Sequence, residues 1–329
     1  MNAHFTPLWS RRAALSGLAA GLIAPGVLAQ TGRQSTIRLI VAFAPGSSND
    51  QIARELAPYM SEALGQTVIV ENRPGAGGML GTEAVARANP DGLTIGLGTS
   101  SQMVMNVGLY QKLPFDIDRD LRMIGLISRG SMLLAAKAQG PKTLQELIAQ
   151  AKANPGQVTY GSAGVGSISH IVGAAFEQAA GIELTHVPYK GNGPAMTDLT
   201  GGHVDLVFDG LTTSAPLAQQ GRIRMLAISR QERHASEPEL PTFAEQGVTD
   251  YDAYTWNCLF APAGLPDDEV ARINKALNMA LEQTSIQERL ARIAADPLGP
   301  STPEAAQAYG KKERERWVPF VRSLELDLS

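Results

Sequence analysis

This 329-residue chain has one cysteine, no surplus of basic charge, a single long apolar stretch and no repeat of fixed period. Each shortage excludes something. Cys258 alone cannot form an internal disulfide. Its place in Thr255-Trp256-Asn257-Cys258-Leu259-Phe260 suits a buried, inert thiol rather than a nucleophile. The net charge is -4 with lysines and arginines scattered, which argues against nucleic acid as a partner. His170, His186, His203 and His234 lack metal-ligand spacing, and the lone thiol rules out a thiolate cluster, so neither metal nor other cofactor is expected. Gly75, Gly77, Gly78 and Gly81 are spaced one residue too widely for a dinucleotide fingerprint. They follow Asn72-Arg73-Pro74 rather than a strand end, so a tight turn and close helix packing explain them better.

The long apolar stretch is at the N-terminus. Arg11 and Arg12 precede an alanine-rich run from Ala13 to Ala29 that ends in Val27-Leu28-Ala29. This predicts a secretory signal peptide over residues 1–29, cut between Ala29 and Gln30. Gly17, Gly21 and Pro25 break the run, which is short for a membrane span of about 20 residues. Ser10-Arg11-Arg12-Ala13-Ala14-Leu15 is similar to a twin-arginine signal, but Ala14 stands where phenylalanine is usual, so the general secretion route stays open. The mature chain would carry a net charge of -6, because the leader holds two arginines and no acid. A soluble periplasmic protein is expected, and a monomer.

Three times an apolar run stops at a turn of small residues and a helix is expected at once. The turns are Ala44-Pro45-Gly46-Ser47-Ser48-Asn49-Asp50, Gly98-Thr99-Ser100-Ser101 and Gly161-Ser162-Ala163-Gly164-Val165-Gly166-Ser167. The first amides of a helix lack intrahelical acceptors and sit at the positive end of its dipole, so such turns attract anions. Three of them predict a pocket for a small carboxylate-bearing molecule. Asn49 or Asp50 is expected to cap the first helix.

The elements read as strand, helix, strand, helix, strand. Strands are expected at Ile37–Phe43, Thr67–Val70 and Leu93–Leu97. The helix carrying Ile52, Leu56, Met60 and Leu64 is expected to kink or break at Pro58. This order implies parallel pairing in an α/β layer. Chain crossings between two domains are expected near Ile127 to Ala136 and Tyr254 to Leu259. Thr143 and Glu146 have capping-box spacing ahead of a helix from Leu144 to about Ala153, and Ser285 and Glu288 repeat that spacing. Further strands are expected at Val158–Tyr160, Leu184–Val187, Val204–Phe208 and Met225–Ile228, and a last helix from about Pro303.

A catalytic reading of the third turn is weak. Ser169 and His170 are adjacent on a helix and do not face each other, and Tyr160 occupies the position where a nucleophile elbow before Ser162 needs glycine. Asp209 ends an apolar strand at a glycine. It is either a turn former or an acceptor for an amino or hydroxyl group on a ligand, and it would repel a second carboxylate. Phe43 could belong to the core or to a pocket wall. Arg73 could supply a counter-charge or pair with Glu71 or Asp50.

Taken in order, the motifs Ile37-Arg38-Leu39-Ile40-Val41-Ala42-Phe43-Ala44-Pro45-Gly46, Val70-Glu71-Asn72-Arg73-Pro74-Gly75-Ala76-Gly77-Gly78, Pro90-Asp91-Gly92, Tyr110-Gln111-Lys112-Leu113-Pro114-Phe115-Asp116, Ser162-Ala163-Gly164, Ser169-His170, His186-Val187-Pro188-Tyr189-Lys190-Gly191, Val204-Asp205-Leu206-Val207-Phe208-Asp209 and Leu259-Phe260-Ala261-Pro262-Ala263-Gly264 span essentially the whole mature chain. The chain resembles the solute-binding proteins of tripartite tricarboxylate transporters, the Bug family. The resemblance implies an α/β, two-lobed periplasmic binding protein of type II with a hinged cleft. Lobe 1 would be residues 36–133 plus 256–329, and lobe 2 residues 134–255. It implies no catalysis, a small organic acid as ligand and membrane transporter subunits as partners. A sensor presenting its ligand to a signalling receptor, or a small-molecule hydrolase, is the alternative. The implied ligand-binding positions are Phe43, Gly46, Ser47, Ser48, Asn49 and Asp50; Thr99 and Ser100; Ser162, Ala163, Gly166, Ser167, Ser169 and His170; and Asp209. Ser47 replaces the family's usual second glycine, and Gly210 replaces a frequent asparagine.

Overall fold

A computed structural model describes residues 35–326. The expected signal peptide lies outside the described residues. The first layer contains β1 (Ile37–Val41), α1 (Ser48–Leu64), β2 (Val68–Asn72), α2 (Met79–Ala86) and β3 (Thr94–Thr99). A π-helical turn, Ser101–Met105, leads into α3 (Asn106–Leu109) and α4 (Ile117–Asp120). The long strand β4 (Leu121–Lys137) follows. Next come α5 (Leu144–Ala153), β5 (Thr159–Ser162), α6 (Ile168–Ala180), β6 (Thr185–Pro188), α7 (Asn192–Gly201), β7 (Leu206–Gly210), α8 (Leu211–Gln219) and β8 (Ile223–Ile228). The chain returns through β9 (Tyr254–Pro262) and ends with α9 (Asp267–Leu281), α10 (Thr284–Arg292), β10 (Ala295–Pro297) and α11 (Pro303–Ser323).

The strands join in the order β2-β1-β3-β9-β4-β7-β5-β6, with β8 and β10 also on β4. At one end β2, β1 and β3 are parallel; at the other, β7, β5 and β6 are parallel. β4 belongs to both ends. Leu121 to Ser131 pair antiparallel with β9, and Met132 to Ala136 pair antiparallel with β7. Leu133, Leu134, Ala135 and Ala136 are all fully buried, as a strand covered on both faces requires.

Alternation along β1 divides the core. Ile37, Leu39 and Val41 pack with Ile52, Leu56 and Met60 of α1 and with Ile273, Leu277 and Leu281 of α9. Ile40 points the other way, into a cluster that includes Trp317, Val318 and Val321 of α11 and continues to Phe176, Phe208 and Tyr251. A third cluster covers the far end with Leu133, Met196, Leu199, Val207 and Leu211. Each such fully buried aliphatic side chain contributes about 1.5–3 kcal/mol.

Several expectations need correction. β1 stops at Val41, so Phe43 lies in the turn. Pro58 does not break α1, which runs unbroken to Leu64. The second turn leads into a π-helical turn and a single turn of α-helix, not an extended helix. Ser285 is not a cap. Gln283 precedes α10, and the Ser285 hydroxyl instead meets Tyr59 Oη at 2.8 Å. The Thr143 cap of α5 forms as read, with Thr143 Oγ1 accepting the Glu146 amide at 3.1 Å.

Candidate functional site

In parallel α/β sheets, loops at the carboxyl ends of the strands form the binding crevice. Here those ends carry the three turns: after β1, after β3 and after β5. Glycine makes the first and third possible, with Gly46 at φ 83° and Gly166 at φ 74°, a left-handed conformation that disfavours side chains.

The N-cap of α1 is Ser47, not Asn49 or Asp50; its hydroxyl accepts the Asp50 amide. Ser48 and Asn49 become the first helical residues, whose amides have no intrahelical acceptor. Asp50 is turned back into the protein. Its carboxylate accepts from the Gly46 amide at 2.8 Å, Asn72 Nδ2 at 2.9 Å and Arg54 Nε at 3.0 Å. The Arg54 guanidinium, aided by the Gly46 amide and Asn72, holds the Asp50 carboxyl down at about 2 against the opposing effect of burial. Arg73 pairs with Glu71 at 2.7 Å and not with Asp50.

A cavity of about 270 Å³ opens at this helix end. Phe43, Ser48, Asn49 and Ile52 form one side, and Thr99, Ser100 and Ser101 another. Gly130 on β4 and Thr255, Trp256 and Asn257 on β9 form its floor, at the strands that connect the two ends of the sheet. Ile168, the first residue of α6, and Ile293 to Ala295 complete the wall. Phe43 is therefore a wall residue. No ionisable side chain lines the cavity among the described residues. The Ser100 hydroxyl is buried and lacks a hydrogen-bond partner among the described residues. Larger hollows of about 460 and 840 Å³ lie along α11 and include none of the three turns.

Asn257 was missed by the sequence reading, which treated its strand as uniformly apolar. Its Nδ2 donates to Asn49 Oδ1 at 2.8 Å, and Ser128 Oγ donates to its Oδ1 at 3.3 Å. One amide in a strand otherwise built for burial was the available signal. Ile293 to Ala295 carried none, because their position comes from the pairing of β10 with β4. Ala294 holds a left-handed φ of 52°, an uncommon conformation for a residue with a side chain.

The third turn forms a second polar group beside Ile168. Ser167 caps α6 by accepting the His170 amide. The Gly166 amide donates to His170 Nδ1 at 3.0 Å. His170 stacks on His186, with ring centroids 3.8 Å apart. Burial lowers the pKa of both rings, that of His186 to about 4 with further help from the His170 charge, so both are neutral at physiological pH. Ser162 Oγ lies 2.6 Å from His186 Nε2, donates to the Gly164 carbonyl and accepts the Gly164 amide. Ser162 is fully buried, which removes it as a nucleophile. The Ala163 amide donates to Ser169 Oγ at 2.9 Å, and Ser169 Oγ donates to Asn192 Oδ1 at 3.0 Å. Asn192 and His186 were not among the predicted site residues.

The structure thus places Phe43, Ser48, Asn49, Thr99 and Ser100 around one cavity. Gly46, Ser47 and Asp50 shape its helix end from behind. Ser162, Ala163, Gly166, Ser167, Ser169, His170 and Asp209 belong to the neighbouring polar group and do not line the cavity itself. Cys258 is buried, its thiol pushed up to about 12 by desolvation.

The comparisons agree with this architecture. A family profile described as "Tripartite tricarboxylate transporter family receptor" matches residues 52–326. Protein BugT of Bordetella pertussis is 34% identical over 308 residues, covering 92% of this chain and 93% of that protein. Among solved structures, MatC from Rhodopseudomonas palustris with bound malate has a TM-score of 0.75 at 32% identity, covering 87% of this chain and 99% of that one. A second R. palustris protein, with adipate, gives 0.77 at 32% identity, with coverage of 88% and 97%. Among the described residues no helix is long and apolar enough to cross a membrane. The chain belongs to the tripartite tricarboxylate transporter receptor family, the TctC/Bug group of periplasmic solute-binding proteins.

Proposed function

We propose that the chain captures a small carboxylate-bearing solute in the cavity at the α1 N-terminus and delivers it to a membrane transporter of the tripartite tricarboxylate type. Residues 36–133 plus 256–329 act as one lobe and 134–255 as the other, joined through β4 and β9. The observation that carries this reading is the lining. A helix N-terminus and the hydroxyl-bearing residues Ser48, Thr99, Ser100 and Ser101 line a cavity without an ionisable side chain among the described residues, the Thr99 hydroxyl being held by Gln102. Backbone amides and hydroxyls can hold an anion without a counter-ion, because the helix dipole and charge-assisted hydrogen bonds favour it. The malate and adipate in the two R. palustris relatives support a carboxylate as the ligand class. Ser100 is the sharpest probe, since its buried hydroxyl has no partner to lose among the described residues. Ser100→Ala is expected to weaken binding about tenfold, the value of one hydrogen bond to a charged group, with no loss of thermal stability. The measurement is calorimetric titration with a panel of mono- and dicarboxylic acids that includes malate and adipate. Unchanged affinity in both Ser100→Ala and Asn49→Ala would place the ligand elsewhere.

A further inference from the structure

The carboxamide of Asn257 is held from three strands. Its Nδ2 lies 3.5 Å from the Gly98 carbonyl of β3, an atom that only accepts, which fixes the nitrogen end. The same Nδ2 donates to Asn49 Oδ1 at 2.8 Å, and Oδ1 accepts from Ser128 Oγ of β4 at 3.3 Å. Both Asn257 and Ser128 are buried. Their meeting depends on a bulge. Leu126 pairs with Cys258 and Ser128 with Asn257, so Ile127 is an extra residue on β4. Ile127 packs in the cluster under α1, whereas Leu126 and Cys258 pack on the opposite side of the sheet with α11. Ser128 follows Ile127 onto the α1 side and sits across from Asn257, as a bulge re-aims the side chains that follow it. Both N–H groups of Asn257 Nδ2 therefore face protein acceptors. An anionic ligand atom only accepts, so Asn257 has no donor left for it.

Asn49 is the second residue of α1 and lines the cavity. With its Oδ1 drawn to Asn257, its own Nδ2 is turned to the other side and makes no hydrogen bond among the described residues. An unrestrained carboxamide can offer either end to a ligand, and the oxygen end repels a carboxylate. Among the described residues no ionisable side chain lines this cavity, so each oriented donor matters. We propose that Asn257 is a positioning residue that pins the Asn49 carboxamide with Nδ2 toward the bound carboxylate, beside the open amides of α1, and that Ser128 steadies Asn257 from behind. This rests on the reading that the cavity at the α1 N-terminus is the binding site. Asn257 acts through Asn49, so its loss weakens binding only while Asn49 is present.

The test is a double-mutant cycle on the purified protein, read by calorimetric titration with the tightest binder among malate, succinate, adipate and benzoate. Asn49→Ala is expected to weaken binding about tenfold, the value of one hydrogen bond to a charged group. Asn257→Ala is expected to weaken it about fivefold, as leaving one contacting side chain to be ordered by the ligand costs. The double variant is expected to bind within about twofold of Asn49→Ala alone, because the second substitution removes an orientation that no longer has an object. A loss of about fiftyfold, the two effects multiplied, would mean that Asn257 works independently of Asn49 and overturns the inference. Unchanged affinity in Asn257→Ala, the result of a merely structural role, overturns it too, as does a loss in Asn257→Ala with none in Asn49→Ala. Should Asn257→Ala fail to fold, Ser128→Ala takes its place, expected to weaken binding about threefold in the wild type and not at all in Asn49→Ala. In each of these failures, weaker binding by Ser100→Ala leaves the cavity assignment standing. A wild type that binds none of the four acids overturns both.

Discussion

The first and third turns solve one geometric problem with different chemistry. Ser47 and Ser167 cap their helices at nearly the same backbone angles, φ -64° with ψ 160° and φ -66° with ψ 159°. In each, the preceding glycine is left-handed and its amide is held by a side chain four residues on. At Gly46 that acceptor is the Asp50 carboxylate, and at Gly166 it is the neutral His170 ring. Asp50 brings a negative charge to a helix N-terminus and shares it with Arg54 and Asn72. His170 brings none and leans on His186. Shape alone therefore does not determine what a helix end offers an incoming anion. The acceptor behind the glycine decides how much of the positive end is already neutralised.

The largest expected effect comes from removing the charged acceptor. Asp50→Ala leaves the Gly46 amide without its acceptor and Asn72 Nδ2 with only the Phe43 carbonyl, and is expected to destabilise the protein by about 2–3 kcal/mol in chemical denaturation. The half-exposed Arg54 adds little to that figure.

Next in size is the response to acid, which should separate the turns. Both His186 and Asp50 bind fewer protons in the folded state than in the unfolded one, so stability rises with pH across each window. For His186, lowered from near 6.5 to about 4, the stabilisation is complete above about pH 6.5 and declines as pH falls toward 4. For Asp50, lowered to about 2, it is intact above about pH 4 and declines toward 2. Hydrogen exchange followed from pH 7 to 3 is expected to show residues 161–188 loosening first. Simultaneous loosening of residues 43–55 would erase the distinction. Replacing His186 by Gln is expected to shrink the upper window, to which the buried His170 also contributes, and leave the lower one.

The smallest effect should show what the turns share. Ser47→Ala and Ser167→Ala each delete an N-cap and are expected to lower stability by about 1 kcal/mol, equal within error in urea denaturation. A clear inequality would mean that the acceptor behind the glycine also governs the cap.

Much of the architecture is legible in the residues because it is local. Nearly continuous apolar runs such as Ile37 to Val41 and fourfold spacing such as Ile52, Leu56 and Met60 mark strand and helix without reference to the rest of the chain. Thr143 with Glu146 forms the cap its spacing suggests, whereas Ser285 with Glu288 has the same spacing and does not, because Tyr59 takes the Ser285 hydroxyl. The turns could be located, but their internal wiring could not. Whether Asp50 caps or is turned inward depends on Arg54 and on Asn72, 22 residues away. Asn257, Asn192 and Ile293 to Ala295 reach the site region only through sheet pairing or contacts between loops, which no local pattern encodes.

Strand β4 has a mechanical consequence. Seventeen residues form one ribbon, bonded to β9 along its first part and to β7 and β8 along its last. Its register slips between Met123 and Gly125, between Leu126 and Ser128 and between Leu134 and Ala135, so any twist has several places to enter. A solute that drew the two ends of the sheet together would wind it gradually, like a torsion bar, and its release would let the bar unwind.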